Sequence, residues 1–263
     1  GLTHEYFSAV LDSFKVEAEK RGYDITFINH NISGRSMTYL EHCHYRSVDG
    51  VVIACVNFYD PQVVELVNSD VPVVTIDHVF NNRMAVLSDN VAGLKALVKQ
   101  AWACGHRRIA FIHGEKTSVT ENRIAGFYQA CEELGLEIPE EYVRDGVYHD
   151  VERCAEETRA LLALPQRPTC IIFPDDFSAL GGYNALAEAG LSIPDDISVM
   201  GYDGIYLSRV VNPSLVTYQQ NTAALGQTAA DKLIELIEHP RVTLPEQLRV
   251  SGRLLSGGSV RSL

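Results

Sequence analysis

Short β-branched runs that do not alternate with polar residues recur along this chain, at 25–28, 51–54, 73–76, 109–112, 170–173 and 197–200. Segments of helical period separate them. A strand that is apolar on both faces must be covered on both faces, which is the situation of a parallel sheet with helices on each side. Phe7, Val10, Leu11, Phe14 and Ala18 mark one such helix, Val91, Leu94, Leu97, Val98 and Ala101 a second, and Ile124, Phe127, Ala130, Cys131 and Leu134 a third. Gly22, Gly105, Gly135 and Gly190 stand where helices should stop, with Pro139 and Pro194 shortly after two of them.

A new strand and helix series begins at Arg108, which predicts an α/β chain of two Rossmann-like lobes whose parallel sheets are joined by crossover strands. The first lobe takes residues 1–106 and regains the chain at 221–250 through a late helix over 222–238; the second takes 107–220 and 251–263. Ligands of open α/β sheets bind beyond the carboxyl ends of the strands, so the loops after Ile76, Ile112, Phe173 and Met200 should converge on a cleft.

Composition narrows the function classes. A formal charge of −12, from 22 Lys and Arg against 34 Asp and Glu, opposes nonspecific attachment to nucleic-acid phosphates or anionic lipid. No apolar run approaches the length of a bilayer crossing, so a soluble chain with no membrane partner is expected. The six cysteines form no Cys-x-x-Cys pair, which points to free thiols in a reducing cytoplasm.

Three motifs place chemistry where a strand meets a helix or loop: Arg123-Ile-Ala-Gly126-Phe127, Asp175-Asp176-Phe-Ser-Ala-Leu-Gly181 and Asp196-Ile-Ser-Val-Met-Gly201-Tyr202-Asp203. A guanidinium offers a planar fork of donors and carboxylates offer acceptors, so Arg123, Asp175 and Asp203 together suit the vicinal hydroxyls of a sugar-like ligand. Arg123 is read in the first turn of its helix, where the dipole disfavours a cation, so a purely structural role explains it poorly; an ion pair with Asp175 or Asp203 is the lesser alternative. Asp176 and Asp196 read as caps of helices or turns.

Reaction centres are poorly represented. Glu41-His-Cys-His-Tyr45 sets its histidines two apart, which do not share a helix face, and reads as a solvated helix surface rather than a metal site. Gly114-Glu-Lys-Thr-Ser118 lacks P-loop spacing, though its lysine leaves a phosphosugar open. Leu180-Gly-Gly182 lies inside a helical pattern and reads as close helix packing rather than a dinucleotide fingerprint. No nucleophile is paired with a base. Neither an enzyme nor any cofactor or metal is expected.

In order along the chain, Arg21-Gly-Tyr23, Val48-Asp-Gly-Val-Val-Ile53, Val71-Pro-Val-Val-Thr-Ile-Asp77, Ser88-Asp-Asn90, Gly105-His-Arg-Arg-Ile-Ala-Phe-Ile112, Arg123-Ile-Ala-Gly-Phe127, Pro194-Asp-Asp-Ile-Ser-Val-Met-Gly-Tyr-Asp203 and Leu225-Gly-Gln-Thr-Ala-Ala230 make a set. Each phrase is weak alone; their order and spacing together resemble the effector-binding core of the LacI/GalR (lactose-repressor) family of bacterial transcriptional regulators. The resemblance runs nearly the whole chain. It implies the type I periplasmic-binding-protein-like arrangement of two lobes, a small carbohydrate-like effector in the cleft, a homodimer, and cytoplasmic location.

Carried over residue by residue, the resemblance implies that Arg123, Asp175 and Asp203 hydrogen-bond the effector with Gln220 nearby, that Tyr6, Phe7 and Tyr148 form aromatic walls, and that His78 lies over the ligand. The three aromatics read equally as core or rim residues. The family's basic helix-turn-helix headpiece is not found in this sequence, so operator DNA would be contacted only through that missing part. The first strand that ordinarily precedes the helix of Tyr6 and Phe7 is also not found, and residues are expected to have been lost or left out upstream of Gly1. An extracytoplasmic sugar-binding receptor of a transporter is the alternative that shares this fold and cleft chemistry.

Overall fold

A computed structural model of the chain describes residues 4–263, so the expectation about chain upstream of Gly1 lies outside the described residues. The chain forms two compact units, one of residues 1–88 and 221–250 and one of 89–220 and 251–263. It passes between them three times, after Ser88, Gln220 and Val250.

The first unit is a four-stranded parallel sheet ordered Gln247–Val250, Met84–Ser88, Val73–Ile76, Val51–Ile53. Its two central strands are buried at every residue, as their unalternating sequences require. Helices Glu5–Lys20 and Thr222–Glu238 cover one face through Val10, Leu225, Ala229 and Leu233, while Tyr39–Arg46 and Pro61–Val67 cover the other through Cys43, Val63, Leu66 and Val67. The run 25–28 is not a strand, contrary to expectation: Phe27 is 52% exposed and the sheet stops at Val51–Ile53. β-branched composition expresses a fit to a paired, half-buried surface, and this run has no strand to pair with among the described residues.

The second unit is a six-stranded sheet ordered Arg253–Leu255, Val216–Gln219, Ser198–Asp203, Cys170–Ile172, Ile109–His113, Val143–Asp145. All its pairs are parallel except that of Arg253–Leu255 with Val216–Gln219. Helices Asn90–Ala103 and Ser118–Glu133 pack on one face around Leu94, Leu97, Phe111 and Phe127; Val151–Leu162 and Ala179–Glu188 pack on the other around Leu161, Leu186, Phe173 and Val199.

The boundary near 106 predicted from sequence moves to Ser88. Helix Asn90–Ala103 buries Leu94, Leu97, Val98 and Ala101 in the same cluster as Ile109 and Phe127, so it belongs to the second unit. An amphipathic helix shows that it covers a sheet but not which one.

Glycines set the closest helix contacts. Gly181 lies where a Cβ would come within 2.1 Å of the Val151 carbonyl oxygen, and Gly182 faces the Phe173 ring, the close packing expected of Leu180-Gly-Gly182. Helix Ser118–Glu133 approaches Asn90–Ala103 at Gly126, where a Cβ would stand 2.4 Å from the Val91 carbonyl oxygen. Backbone cannot rotate aside as a side chain can. Gly126→Ala is therefore expected to lower unfolding free energy by about 1–3 kcal/mol, read as a lower urea midpoint; an unchanged midpoint would contradict this contact.

Candidate functional site

Strand order locates the crevice. In the second unit the chain enters the sheet at Ile109–His113, adds Val143–Asp145 on one side and then Cys170–Ile172 on the other, so the order reverses between the first and third of these strands. Beyond the carboxyl ends of two strands at such a reversal, connections diverge to opposite faces and leave a crevice. The loops that follow these strands, with the ends of Ser198–Asp203 and Val216–Gln219, carry Tyr148, Asp175, Asp203 and Gln220.

Arg123 is the best-anchored of the predicted residues. It is the sixth residue of helix Ser118–Glu133, in the second turn rather than the first, so the dipole argument made from sequence does not apply. Only 4% exposed, it donates from Nε to Asn90 Oδ1 at 2.9 Å and from Nη1 to the Pro174 carbonyl at 3.0 Å. Its guanidinium lies 3.7 Å from the Tyr202 ring centroid and 5.5 Å from that of Tyr148. Fixed on an aromatic face, a guanidinium keeps its plane and offers its remaining donors in one direction.

The carboxylates divide by function. Asp175 is buried and accepts from His149 N at 2.9 Å and Ser178 N at 2.8 Å, one on each oxygen, so it holds two loops together. Asp176 accepts from Thr217 Oγ1 at 2.6 Å and from Ile205 N at 2.9 Å, fixing the turn after Ser198–Asp203. Asp196 closes its own turn on Ser192 N. Asp203 accepts from Gln220 Nε2 at 2.7 Å, and its backbone takes φ +104°, a sparsely populated conformation that costs on the order of 1–3 kcal/mol. Burial raises the Asp203 pKa well above the ordinary carboxylate value, the nearby Arg123 opposes the rise, and Asp175 and Asp176 add to it.

Tyr148 fills space left by Gly114, where a Cβ would lie 2.2 Å from its ring, and its hydroxyl is 2.7 Å from Thr120 Oγ1. Burial raises its pKa.

In the first unit, the loop after Val73–Ile76 carries Asp77 and His78. Tyr6 donates its hydroxyl to Asp77 Oδ2 at 2.6 Å, and Ser88 N donates to Oδ1 at 2.9 Å, with Asp77 at φ +62°. His78 stacks on Phe58 at 4.4 Å between centroids and meets Phe80 edge-on at 4.7 Å, and burial lowers its pKa. Phe7, the next residue after Tyr6 in helix Glu5–Lys20, is half-buried.

Among the predicted residues, Arg123, Tyr148, Asp175, Asp203 and Gln220 thus share one edge of the second sheet, and Tyr6 and His78 flank Asp77 in the first unit. Asn90 and Tyr202, which hold Arg123, lie within recognised phrases but had no role assigned, because a distant hydrogen bond leaves no local pattern. His149, at φ +57°, carried no sequence signal.

The histidine-bearing motif of the first unit departs from its reading. His42 is 1% exposed and bonds Asn29 through Nδ1, so Glu41-His-Cys-His-Tyr45 is partly core rather than a solvated surface. No group of three metal-ligating side chains occurs among the described residues. All six cysteines are free, and no described helix is long and apolar enough to cross a membrane.

Comparison with known proteins gives these features a context. The periplasmic binding protein-like domain family matches residues 98–260. The HTH-type transcriptional repressor PurR of Haemophilus influenzae (strain Rd) is 31% identical, covering 98% of this chain and 78% of that protein; PurR of Mannheimia succiniciproducens is 32% identical over 89% of this chain and 71% of that protein. Among solved structures, a LacI family transcriptional regulator from Enterococcus faecium with bound ribose superposes with a TM-score of 0.85 at 26% identity, covering 100% of this chain and 97% of the other. A complex of the transcriptional regulator CelR with cellobiose has a TM-score of 0.84 over 98% of this chain and 80% of the other; at 23% identity it shares the fold.

Asp176 gives the site's scaffold a pH signature. Its pKa is raised by burial to about 7, against the opposing hydrogen bonds of Thr217 and Ile205. A carboxyl whose folded pKa exceeds its unfolded value binds its proton more tightly when folded. Its contribution is therefore full below the unfolded value, about 3.9, and is lost as pH rises through the folded one. The unfolding free energy of the native chain minus that of Asp176→Asn should fall by on the order of 2–4 kcal/mol between about pH 4 and pH 8. A difference flat across that range would contradict a raised pKa.

Proposed function

Because the chain belongs to the LacI family of transcriptional regulators and has their periplasmic-binding-protein-like fold, we propose that it senses a small sugar-like effector through the carboxyl edge of its second sheet. The PurR relatives are transcriptional repressors and the Enterococcus faecium structure is a transcriptional regulator, which favours a regulator over a transporter receptor.

The observation that carries the proposal is the orientation of Arg123. Its guanidinium is held by neutral acceptors and an aromatic face at the crevice between Ile109–His113 and Cys170–Ile172, beside an Asp203 carboxyl gripped on one side by Gln220. In this reading Arg123 donates to ligand hydroxyls, Asp203 and Gln220 bond the same hydroxyls from the strand ends, and Tyr148 packs on a C–H face of the ring. Asp175 acts by positioning the loops that carry His149 and Ser178. The ribose bound by the Enterococcus faecium regulator supports a sugar as the ligand.

Tyr6, Phe7 and His78 of the first unit are further effector contacts in this reading. Sensing then requires different affinity for two states of the regulator, since equal affinity shifts nothing. In the intact regulator, working as a homodimer, effector affinity and operator affinity would be linked reciprocally.

A thermal-shift screen against mono- and disaccharides, polyols and nucleosides should find a concentration-dependent rise with one class. Arg123→Met and Asp203→Ala should each weaken binding of that compound on the order of 10- to 100-fold while keeping a cooperative urea transition. Unchanged affinity in either folded variant would remove the assignment.

A further inference from the structure

We infer that the amino end of the second sheet carries a second binding site, for the phosphoryl group of a small molecule, built around Arg108 and Arg167. The register of two neighbouring strands brings these residues together. Ile109 pairs with Cys170 in the parallel ladder between Ile109–His113 and Cys170–Ile172, and Thr169 N donates to the Arg108 carbonyl at 2.8 Å. Strands so paired run about 4.8 Å apart, so Arg108 stands beside the loop that enters the next strand. That loop carries Arg167.

A cavity of about 860 Å³ opens there, lined by Arg108 and by the loop from Leu162 to Arg167. Its size falls within the roughly 300–1,000 Å³ of small-molecule sites, and no acidic side chain lines it. The crevice of Arg123 lies at the other end of the same strands. Along Ile109–His113 that is on the order of 16 Å, so the two sites are separate.

The loop is held in place by the protein itself. Tyr142 is buried and donates its hydroxyl to the Gln166 carbonyl at 2.7 Å, Leu164 N donates to the Leu161 carbonyl, and Pro165 and Pro168 fix two backbone angles. Arg167 donates from Nε to the Leu162 carbonyl at 2.8 Å, which covers the negative end of helix Val151–Leu162 and leaves Nη1 and Nη2 as an end-on fork. Arg108 has no side-chain hydrogen bond or ion pair among the described residues. Its charge is felt at the loop's anchor: burial raises the Tyr142 pKa, Arg108 opposes the rise, and Glu141 adds to it. The amides of Gln166 and Arg167 also donate to no described residue.

Two cations on one cavity repel each other, and the chain has 34 acidic side chains from which a partner could come. Neither guanidinium pairs with one among the described residues. Two guanidiniums, the Gln166 carboxamide and two backbone amides are donors in want of acceptors. A doubly charged phosphoryl group, with three terminal oxygens, satisfies them more fully than a carboxylate with two oxygens in one plane. Leu164 and Pro165 beside them offer an apolar wall to the organic part of an ester.

Arg107 supplies the control. It is next to Arg108 in sequence but lies outside the cavity, with its guanidinium 4.8 Å from the Trp102 ring centroid and bonded to the Trp102 and His106 carbonyls. Amide chemical shifts of the isotope-labelled chain, followed during titration with inorganic phosphate and with phenyl phosphate at constant ionic strength, test the site. The amides of Leu164, Gln166 and Arg167 should shift saturably, with a dissociation constant of about 1 mM or below. Tighter binding of phenyl phosphate would identify an ester as the ligand and equal affinity the free ion; either supports the site. Arg108→Gln should weaken binding at least about tenfold, while Arg107→Gln should leave it unchanged, and the dispersion of the amide spectrum reports that each variant is folded. No saturable shift at these amides, an affinity unmoved by Arg108→Gln, or equal weakening by both substitutions would overturn the site and leave the sensing role standing.

Discussion

The guanidinium of Arg123 on the ring of Tyr202 joins several separate parts of the second unit. It ties helix Ser118–Glu133 to strand Ser198–Asp203, to Asn90 at the start of Asn90–Ala103, and to the Pro174 carbonyl after Cys170–Ile172. A buried cation is tolerable only when its donors are satisfied, so these partners are requirements rather than accidents. Tyr202 needs room in turn. A Cβ on Gly93 would lie 2.1 Å from its hydroxyl, so the helix over the site has no side chain at that position. One polar anchor thereby fixes a helix register, a strand end and a loop beside the crevice.

Much of the architecture could be read from the chain because buried parallel strands leave little freedom in sequence. Runs such as 73–76 and 109–112 are apolar on both faces and stand out. Most strands missed lack a compact β-branched run or lie at an edge, although Val216–Gln219 is central and buried. Met84–Ser88 is buried but has few β-branched residues, while Gln247–Val250 and Val143–Asp145 lie at sheet edges with solvent on one side. The opposite error, at 25–28, came from composition without a pairing partner. Helix Asn90–Ala103 was assigned to the wrong unit because its apolar stripe would suit either sheet.

The site was legible as residue types more than as geometry. Placement of Asp203, Asp175 and Arg123 near strand ends follows from the strand and helix order. Their division of labour does not. Asp175 and Asp176 are adjacent, and only the loops that fold back on them show that both carboxyls are occupied by backbone amides and a threonine while Asp203 keeps an open oxygen. Likewise Asn90 and Tyr202 hold Arg123 across long sequence separations that no local period encodes.

Hydrogen exchange is the most direct test of the account, because it reports where ligand protects the backbone without presuming any residue's role. Exchange by mass spectrometry would be followed with and without a compound found to raise the chain's thermal stability. Segments carrying 114–123, 174–178, 203–206 and 220 in the second unit, and 77–80 in the first, are predicted to slow. Protection confined to other segments, such as the exposed loop 239–246, would place the ligand elsewhere and contradict the account.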